Sequence, residues 1–228
     1  MKVIHVFFVT GIFCCISLFG ISQTLIRPSH NYVQVTGRVD TSNPLKYSFA
    51  FPGVSIKTAF SGTGISILLK EYGLGTATTT NYFAVIIDGG EPTVLQLSKN
   101  QTEYVLASNL PKGNHTVEVF KRTESNVGKV DFMGFTLPKG TTIIEPAPLP
   151  KRKIEFIGNS ITCGYGNEIS TTTPDKYHFT SANENNYMAW GAVTARKVQA
   201  QYSCVAYSGR GLMQNNTGSK TGTLPLIY

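Results

Sequence analysis

A proline-rich segment, Glu145–Pro150, divides this chain of 228 residues into two parts with different arrangements of apolar residues. Before the segment, short apolar runs alternate with turn residues at close intervals and show no helical period. After it, a compact apolar run is followed by an alanine-rich stretch and a second apolar run. Proline-rich segments act as stiff spacers, so the sequence predicts two domains joined by a linker at residues 145–152.

The part before the linker, residues 23–144, is predicted to be an all-β domain. Its strongest hairpin signal is Tyr82–Ile87 followed by Asp88-Gly89-Gly90, because Asp-Gly favours a tight turn with positive φ angles. Further strands are predicted at Tyr32–Val35, Val54–Lys57, Ile65–Leu68, Thr93–Leu97, Thr116–Phe120 and Val130–Phe135. Many short strands separated by turns are typical of an antiparallel sandwich.

The part after the linker reads as strand, helix, strand. Ile154–Ile157 and Tyr202–Tyr207 are the two predicted strands. Ser181 and Glu184 have the spacing of a capping box, which predicts that a helix begins there and runs to Val198. Such a unit has parallel strands, but two strands and one helix bury too little surface to stand alone. This second domain is therefore expected to be incomplete.

The N-terminal residues have the pattern of a signal peptide. Lys2 is followed by a nearly continuous apolar run, Val3–Phe19, and then by the small residues of Gly20–Ser22. This arrangement predicts cleavage after Ser22 and a secreted or periplasmic protein. The apolar run is short for a spanning helix, so a retained anchor is the weaker alternative. No membrane attachment is expected once the signal is removed.

Composition limits the other classes of function. The formal net charge is +7, but the basic residues are scattered, and the densest cluster, Lys151–Lys153, has no interleaved aromatic residues. A soluble basic surface is therefore favoured over nucleic-acid binding. Two cysteines remain after signal removal, Cys163 and Cys204. Their spacing does not fit a zinc site, and although the compartment permits a disulfide, two separate buried thiols are predicted.

Candidate chemistry lies where the two predicted parallel strands end. Ser160 follows the first strand after Gly158 and Asn159, and Gly209 follows the second. Ligands bind at the carboxyl ends of strands in open parallel sheets, so these residues are expected to meet. A serine beside free backbone N–H groups suits acyl transfer, because the hydroxyl attacks and the N–H groups bind the oxyanion. A Gly-x-Ser turn also occurs as ordinary turn chemistry, which remains the alternative.

The segment Lys153–Asn167, KIEFIGNSITCGYGN, resembles the first conserved block of SGNH (GDSL-type) hydrolases and, more narrowly, carbohydrate esterase family 2. Further segments that resemble this family, in the same order, are Asn81–Gly89, His115–Glu124, Glu184–Gly191 and Ser208–Leu212. The resemblance implies an N-terminal jelly-roll sandwich followed by a flavodoxin-like α/β hydrolase domain at residues 153–228. It also implies a serine esterase that removes O-acetyl groups from plant polysaccharides such as xylan, without metal or cofactor.

The resemblance assigns Ser160 as the nucleophile and the N–H groups of Ser160 and Gly209 as oxyanion donors. Asn159 stands where the family often has Asp, which keeps hydrogen bonding and removes a charge. The family's third block would supply an Asn and its last block the His that accepts the serine proton. Neither block is found, so this chain alone is expected to be an essentially inactive part of an acetylxylan esterase.

The chain's own histidines are interpreted differently. Asp175 and His178 have the Asp-x-x-His form of the family's last block, but they follow the nucleophile too closely and are interpreted as a variable loop. His30 and His115 fall in the predicted sandwich and are expected to be structural or exposed, and His5 belongs to the signal peptide.

A second function is left open at this point. The sandwich could bind carbohydrate by itself, with the hydrolase segment vestigial. In either case the expected partner is an acetylated polysaccharide or oligosaccharide, and the protein is expected to be a monomer that binds no nucleic acid.

Overall fold

The computed structural model describes residues 23–169 and 179–228. The predicted signal peptide and the Asp175–His178 motif lie outside these residues. The strands are β1 Thr24–Ile26, β2 Gln34–Thr36, β3 Tyr47–Phe49, β4 Ser55–Gly62, β5 Ile65–Glu71, β6 Tyr82–Ile87, β7 Thr93–Gln96, β8 Glu103–Ala107, β9 Gly113–Lys121, β10 Val130–Leu137, β11 Thr142–Ile144, β12 Arg152–Gly158 and β13 Ala200–Ala206. The α-helices are α1 Ser160–Cys163, α2 Trp190–Lys197 and α3 Leu224–Ile227.

Strands β1 to β11 form two antiparallel sheets. One has the order β1-β10-β5-β8, with β3 also paired to β10. The other has the order β11-β4-β9-β6-β7, with β2 also paired to β4. Alternate side chains from both sheets fill one apolar core, to which Phe60, Phe83, Phe132 and Phe135 contribute. The predicted antiparallel sandwich is therefore present.

The Asp-Gly turn has the geometry that its sequence predicts. Asp88 and Gly89 have φ angles of 53° and 68°, and the Gly90 N–H donates to the Ile87 carbonyl over 2.9 Å. Positive φ at both central residues matches the right-handed twist of paired strands. The Asp88 side chain then reaches β9, where its carboxylate accepts from the Thr116 N–H over 2.7 Å.

Strands β12 and β13 form a separate parallel pair, in register from Arg152 opposite Ala200 to Gly158 opposite Ala206. Helix α2 lies between them in the sequence and packs against β13. Residues 145–151 join this unit to the sandwich, and β12 begins at Arg152, within the predicted linker.

The capping-box prediction is wrong. Ser181–Asn183 and Asn186–Met188 form two short 3-10 turns, and the α-helix begins only at Trp190. The Ser181 hydroxyl donates to the Ala77 carbonyl, in the sandwich, instead of capping a helix. Glu184 is fully buried and accepts a hydrogen bond from the backbone of Glu124. Contacts with the sandwich therefore override the local helix signal.

A second apolar core joins the two parts of the molecule. Phe120, on β9 of the sandwich, packs edge-to-face on Tyr187 and face-to-face on Tyr202, with ring centroids 5.2 and 6.0 Å away. Phe156 and Cys204 complete the centre of this cluster. The parallel pair thus buries one face directly against the sandwich.

Cys163 and Cys204 are separate, buried thiols, as predicted. Among the described residues, we find no helix with both the length and the apolar character needed to span a membrane.

Candidate active site

The carboxyl ends of β12 and β13 bring Ser160 and Gly209 together. The two ends are tied by a hydrogen bond from the Tyr207 N–H to the Gly158 carbonyl, 3.1 Å long. Ser160 and Gly209 line one open cavity of about 310 Å³, together with Asn159 and Arg210. The meeting of these residues at the strand ends agrees with the expectation from the sequence, whereas their chemical roles remain predictions.

Ser160 is held by the tight turn between β12 and α1. A Cβ atom added at Gly158 would lie 2.1 Å from Thr162 Oγ1 and 2.8 Å from Thr162 Cβ, so a side chain there would displace α1. Asn159 Oδ1 accepts from the Ile161 N–H over 3.2 Å and caps the start of the helix. Gly158 and Asn159 are therefore needed to place Ser160 this close to the strand.

The Gly209 loop is fastened by backbone and amide contacts. Gly209 has φ of +77°, and its carbonyl accepts from the Asn216 N–H over 3.0 Å. The Asn215 side chain accepts from the Gly211 N–H at 3.2 Å and donates to the Thr221 carbonyl at 2.7 Å. The loop thus has a defined conformation, in which the left-handed backbone of Gly209 favours glycine.

Two backbone donors at the cavity are free of partners within the described part of the chain. The N–H groups of Ser160 and Gly209 donate to no other described group, and neither does the Ser160 hydroxyl. Where a serine hydroxyl shares a cavity with two unpaired N–H groups, the hydroxyl can attack a carbonyl and the N–H groups can bind the oxyanion that forms.

The two histidines that the structure describes are occupied elsewhere. His115 Nδ1 lies 2.7 Å from Asp88 Oδ2, and its Nε2 lies 2.8 Å from the Pro111 carbonyl. The hydrogen bond to Asp88 raises the pKa of His115 above its ordinary value. His30 Nδ1 accepts from the Tyr32 N–H over 3.1 Å. Both lie in the sandwich, as expected, and neither is bonded to Ser160.

A buried polar cluster, made of Lys121, Glu124, Cys163 and Glu184, lies where the sandwich meets the part after the linker, and the sequence interpretation missed it. All four residues are fully buried. Burial, reinforced by the Glu124 carboxylate, raises the pKa of Glu184, while burial lowers the pKa of Lys121. The resemblance already includes His115–Glu124, but that block carries no recognisable catalytic motif from which a role for Glu124 could be predicted.

This cluster also holds the one group of metal-ligand types found among the described residues. Ligand atoms of Glu124, Cys163 and Glu184 lie within 4.8 Å of one another. The Glu124 oxygens already accept from Ser208, and the Lys121 ammonium lies nearby, donating to the Thr123 carbonyl over 2.6 Å. Protein groups therefore account for the hydrogen bonds of both Glu124 oxygens and of the Lys121 ammonium, whereas Glu184 Oε1 is buried without a hydrogen-bond partner among the described residues.

Comparison with known proteins identifies the family. The family model described as carbohydrate esterase 2 N-terminal matches residues 35–148, half of the chain. The chain belongs to carbohydrate esterase family 2. Among curated relatives, the cellulase/esterase CelE of Acetivibrio thermocellus is 39% identical over 183 residues, which is 80% of this chain and 21% of that protein. An acetylxylan esterase / glucomannan deacetylase of Cellvibrio japonicus is 32% identical over 212 residues, 92% of this chain and 55% of that protein.

A solved structure has the same arrangement. The family two carbohydrate esterase from Clostridium thermocellum, in complex with cellohexaose, is 34% identical and superposes with a TM-score of 0.75, covering 86% of this chain and 59% of that one. The chain of 228 residues spans about a fifth of the length of one of the two curated relatives and just over half of the length of the other.

Proposed function

We propose that this protein is a secreted esterase that removes O-acetyl groups from plant polysaccharides of the xylan type, with Ser160 as its nucleophile. In this proposal the sandwich is a jelly roll, and β12, α1, α2 and β13 belong to a flavodoxin-like SGNH hydrolase domain. The observation that carries the proposal is the cavity lined by both Ser160 and Gly209. Membership of a family with acetylxylan esterase relatives supports the reaction class.

The proposed reaction has two steps. Ser160 Oγ attacks the acetyl carbonyl and loses its proton to a base, the sugar alcohol leaves, and an acetyl-enzyme forms. Water, which loses a proton to the same base, then attacks the acetyl carbonyl; the bond to Ser160 Oγ breaks, acetate leaves, and the serine oxygen takes the proton back. In both steps the N–H groups of Ser160 and Gly209 bind the negative oxygen of the tetrahedral intermediate, and losing one such donor costs about 10²–10³ in kcat.

The base is the part of this mechanism that the described residues do not supply. His30 and His115 are bonded within the sandwich. In a serine hydrolase, loss of the base costs roughly 10⁶ in kcat. His178 lies outside the described residues and is interpreted as part of a variable loop. On this proposal, a polypeptide of these 228 residues alone hydrolyses esters many orders of magnitude more slowly than a family 2 esterase that has its base.

The test uses the protein as its natural host secretes it. Its intact mass is compared with the 24.8 kDa of these residues, and acetate release from acetylated xylan is measured for the wild type and for Ser160→Ala. We expect the variant to lose deacetylation. Ser203→Ala is the control. The Ser203 hydroxyl, on β13, donates to Glu155 with a donor–acceptor distance of 3.0 Å, and Ser203 does not line the cavity. Full deacetylation by Ser160→Ala would refute the proposal.

Carbohydrate binding without catalysis is the second candidate function. The cellohexaose complex of the Clostridium thermocellum relative is the observation that favours it. The same variant separates the two, because Ser160→Ala should abolish deacetylation and leave retention on soluble glucan or xylan in affinity electrophoresis unchanged. If wild-type protein binds sugar but releases no acetate, the binding function replaces the esterase.

A further inference from the structure

Glu124 joins the sandwich to both sides of the candidate active site. It follows β9, and its side chain is fully buried. Its Oε2 accepts from the Ser208 N–H over 2.8 Å, and its Oε1 accepts from the Ser208 hydroxyl over 2.5 Å. Its Oε2 also lies 3.8 Å from the Cys163 thiol, which donates to it. A single carboxylate from the sandwich thus has donors on α1 and in the loop that follows β13.

Those donors are next to the two groups proposed for chemistry. Ser208 precedes Gly209, so the Gly209 N–H belongs to the peptide group that starts at Ser208. Cys163 closes the helical turn that Ser160 opens. Holding Ser208 at both its N–H and its side chain restricts rotation of the peptide group that carries the Gly209 N–H.

The groups around the Glu124 side chain are hydrogen-bond donors, which is what a buried carboxylate requires. Burial, and then the Glu124 charge, raise the pKa of the Cys163 thiol well above its ordinary value, so the thiol remains a donor. A carboxylate is an acceptor only, and buried acceptors are stable where donors surround them. The Glu124 N–H in turn donates to Glu184 Oε2 over 2.9 Å, which fixes the backbone that carries the carboxylate.

We propose that Glu124 is a positioning residue, through which the sandwich holds the Gly209 N–H and the Ser160 turn in the geometry that binds the oxyanion. This inference rests on the proposed esterase function. It assigns to the sandwich a direct part in catalytic geometry, beyond any binding of polysaccharide.

The test compares Glu124→Gln, Ser208→Ala and the double variant in the protein as its host secretes it, with aryl acetate as substrate. An amide at position 124 places an NH₂ group against one of the present donors, so the Gly209 loop loses part of its hydrogen bonding to residue 124 through Ser208. We expect kcat to fall about 10- to 100-fold with KM unchanged, because the geometry is needed mainly in the transition state. Ser208→Ala keeps the N–H contact and should lose less.

The double variant separates positioning from general damage. If the two residues act through their mutual contact, the double variant should be little slower than Glu124→Gln alone. Additive losses, or a raised KM with unchanged kcat, would overturn the inference. Should Glu124→Gln fail to fold by circular dichroism, a fall in kcat for Ser208→Ala at constant KM supports the proposal, and wild-type kcat contradicts it.

Asp131→Asn is the matched control. Asp131 is also a buried carboxylate with three side-chain donors, Lys46, Ser48 and Tyr72, but these lie in the sandwich. The Asp131→Asn variant should have a lower free energy of unfolding than the wild type and the same kcat. Ser160→Ala, measured alongside, distinguishes two failures. If Ser160→Ala keeps its activity, both the esterase proposal and the positioning role are refuted. If Ser160→Ala loses activity but Glu124→Gln keeps it, only the positioning role is refuted.

Discussion

Gly158 shows how one missing side chain places the candidate nucleophile. The Cβ that alanine would add at this position lies 2.8 Å from Thr162 Cβ, a contact that rotation of the Thr162 side chain cannot relieve. Helix α1 therefore rests on the end of β12 only because residue 158 lacks a side chain. The same glycine gives the chain its Gly-x-Ser pattern, which the sequence alone could equally assign to an ordinary turn.

Gly158→Ala is expected to lower the free energy of unfolding by about 1–3 kcal/mol, the usual cost of forcing extra volume into a packed site. Urea denaturation measures it. Gly113→Ala is the control, since a Cβ there would meet no atom within 4 Å and the residue's φ is not positive. Equal stability of the two variants would show that α1 shifts freely and that Gly158 does not position Ser160.

At the scale of single elements, the sequence predicts strands better than helices. The strands were predictable because alternation and Asp-Gly turns are local signals, and β6 with its turn follows them closely. The helix expected from Ser181 was wrong because Glu184 is bound to Glu124, which is 60 residues away in the sequence. Ser160 and Gly209 could be paired in advance from parallel-strand topology, whereas Glu124 could not, because its role depends on how the two parts pack.

Asp131, on β10, adds a side-chain contact to the backbone pairing of β10 with β3, because its carboxylate accepts from the Ser48 hydroxyl over 2.6 Å. Burial alone would raise its pKa, but hydrogen bonds from Lys46, Ser48 and Tyr72 outweigh burial and lower the pKa from 3.8 to about 2. The folded state therefore favours the ionised form. Its stabilising effect is present above pH about 4 and is lost as the pH falls towards 2.

Asp131→Asn should accordingly remove part of the acid sensitivity of the sandwich. We expect a loss of roughly 2 kcal/mol in the free energy of unfolding at pH 6, which shrinks towards zero near pH 2. Urea titrations at several pH values measure this difference. Glu91→Gln, at an exposed loop position, is the control, and its free energy of unfolding should follow that of the wild type at every pH. A pH-independent loss in Asp131→Asn would mean that the side chain matters for its shape and not for its charge.

At the scale of the whole molecule, the sandwich and the parallel pair are joined by polar contacts as well as by the second apolar core. Arg122 follows β9 and is 2% exposed. Its guanidinium donates to the Glu184 carbonyl at 3.3 Å, the Ala182 carbonyl at 3.2 Å and the Glu168 carboxylate at 2.5 Å. Its own carbonyl accepts from the Asn186 N–H over 3.0 Å. The sandwich thus organises the segments that surround the buried polar cluster.

Arg122→Met tests this coupling, because methionine keeps the apolar stem and removes every guanidinium donor. The buried Glu184 carbonyl and the partly buried Ala182 carbonyl would each lose a partner, so we expect the free energy of unfolding to fall by roughly 3 kcal/mol. Limited proteolysis should then cut near Glu168 and Glu184 before it cuts the sandwich. Arg27→Met is the control, since Arg27 is exposed on the sandwich. If Arg122→Met were cut no faster than Arg27→Met, the apolar core alone would suffice to hold the two parts together.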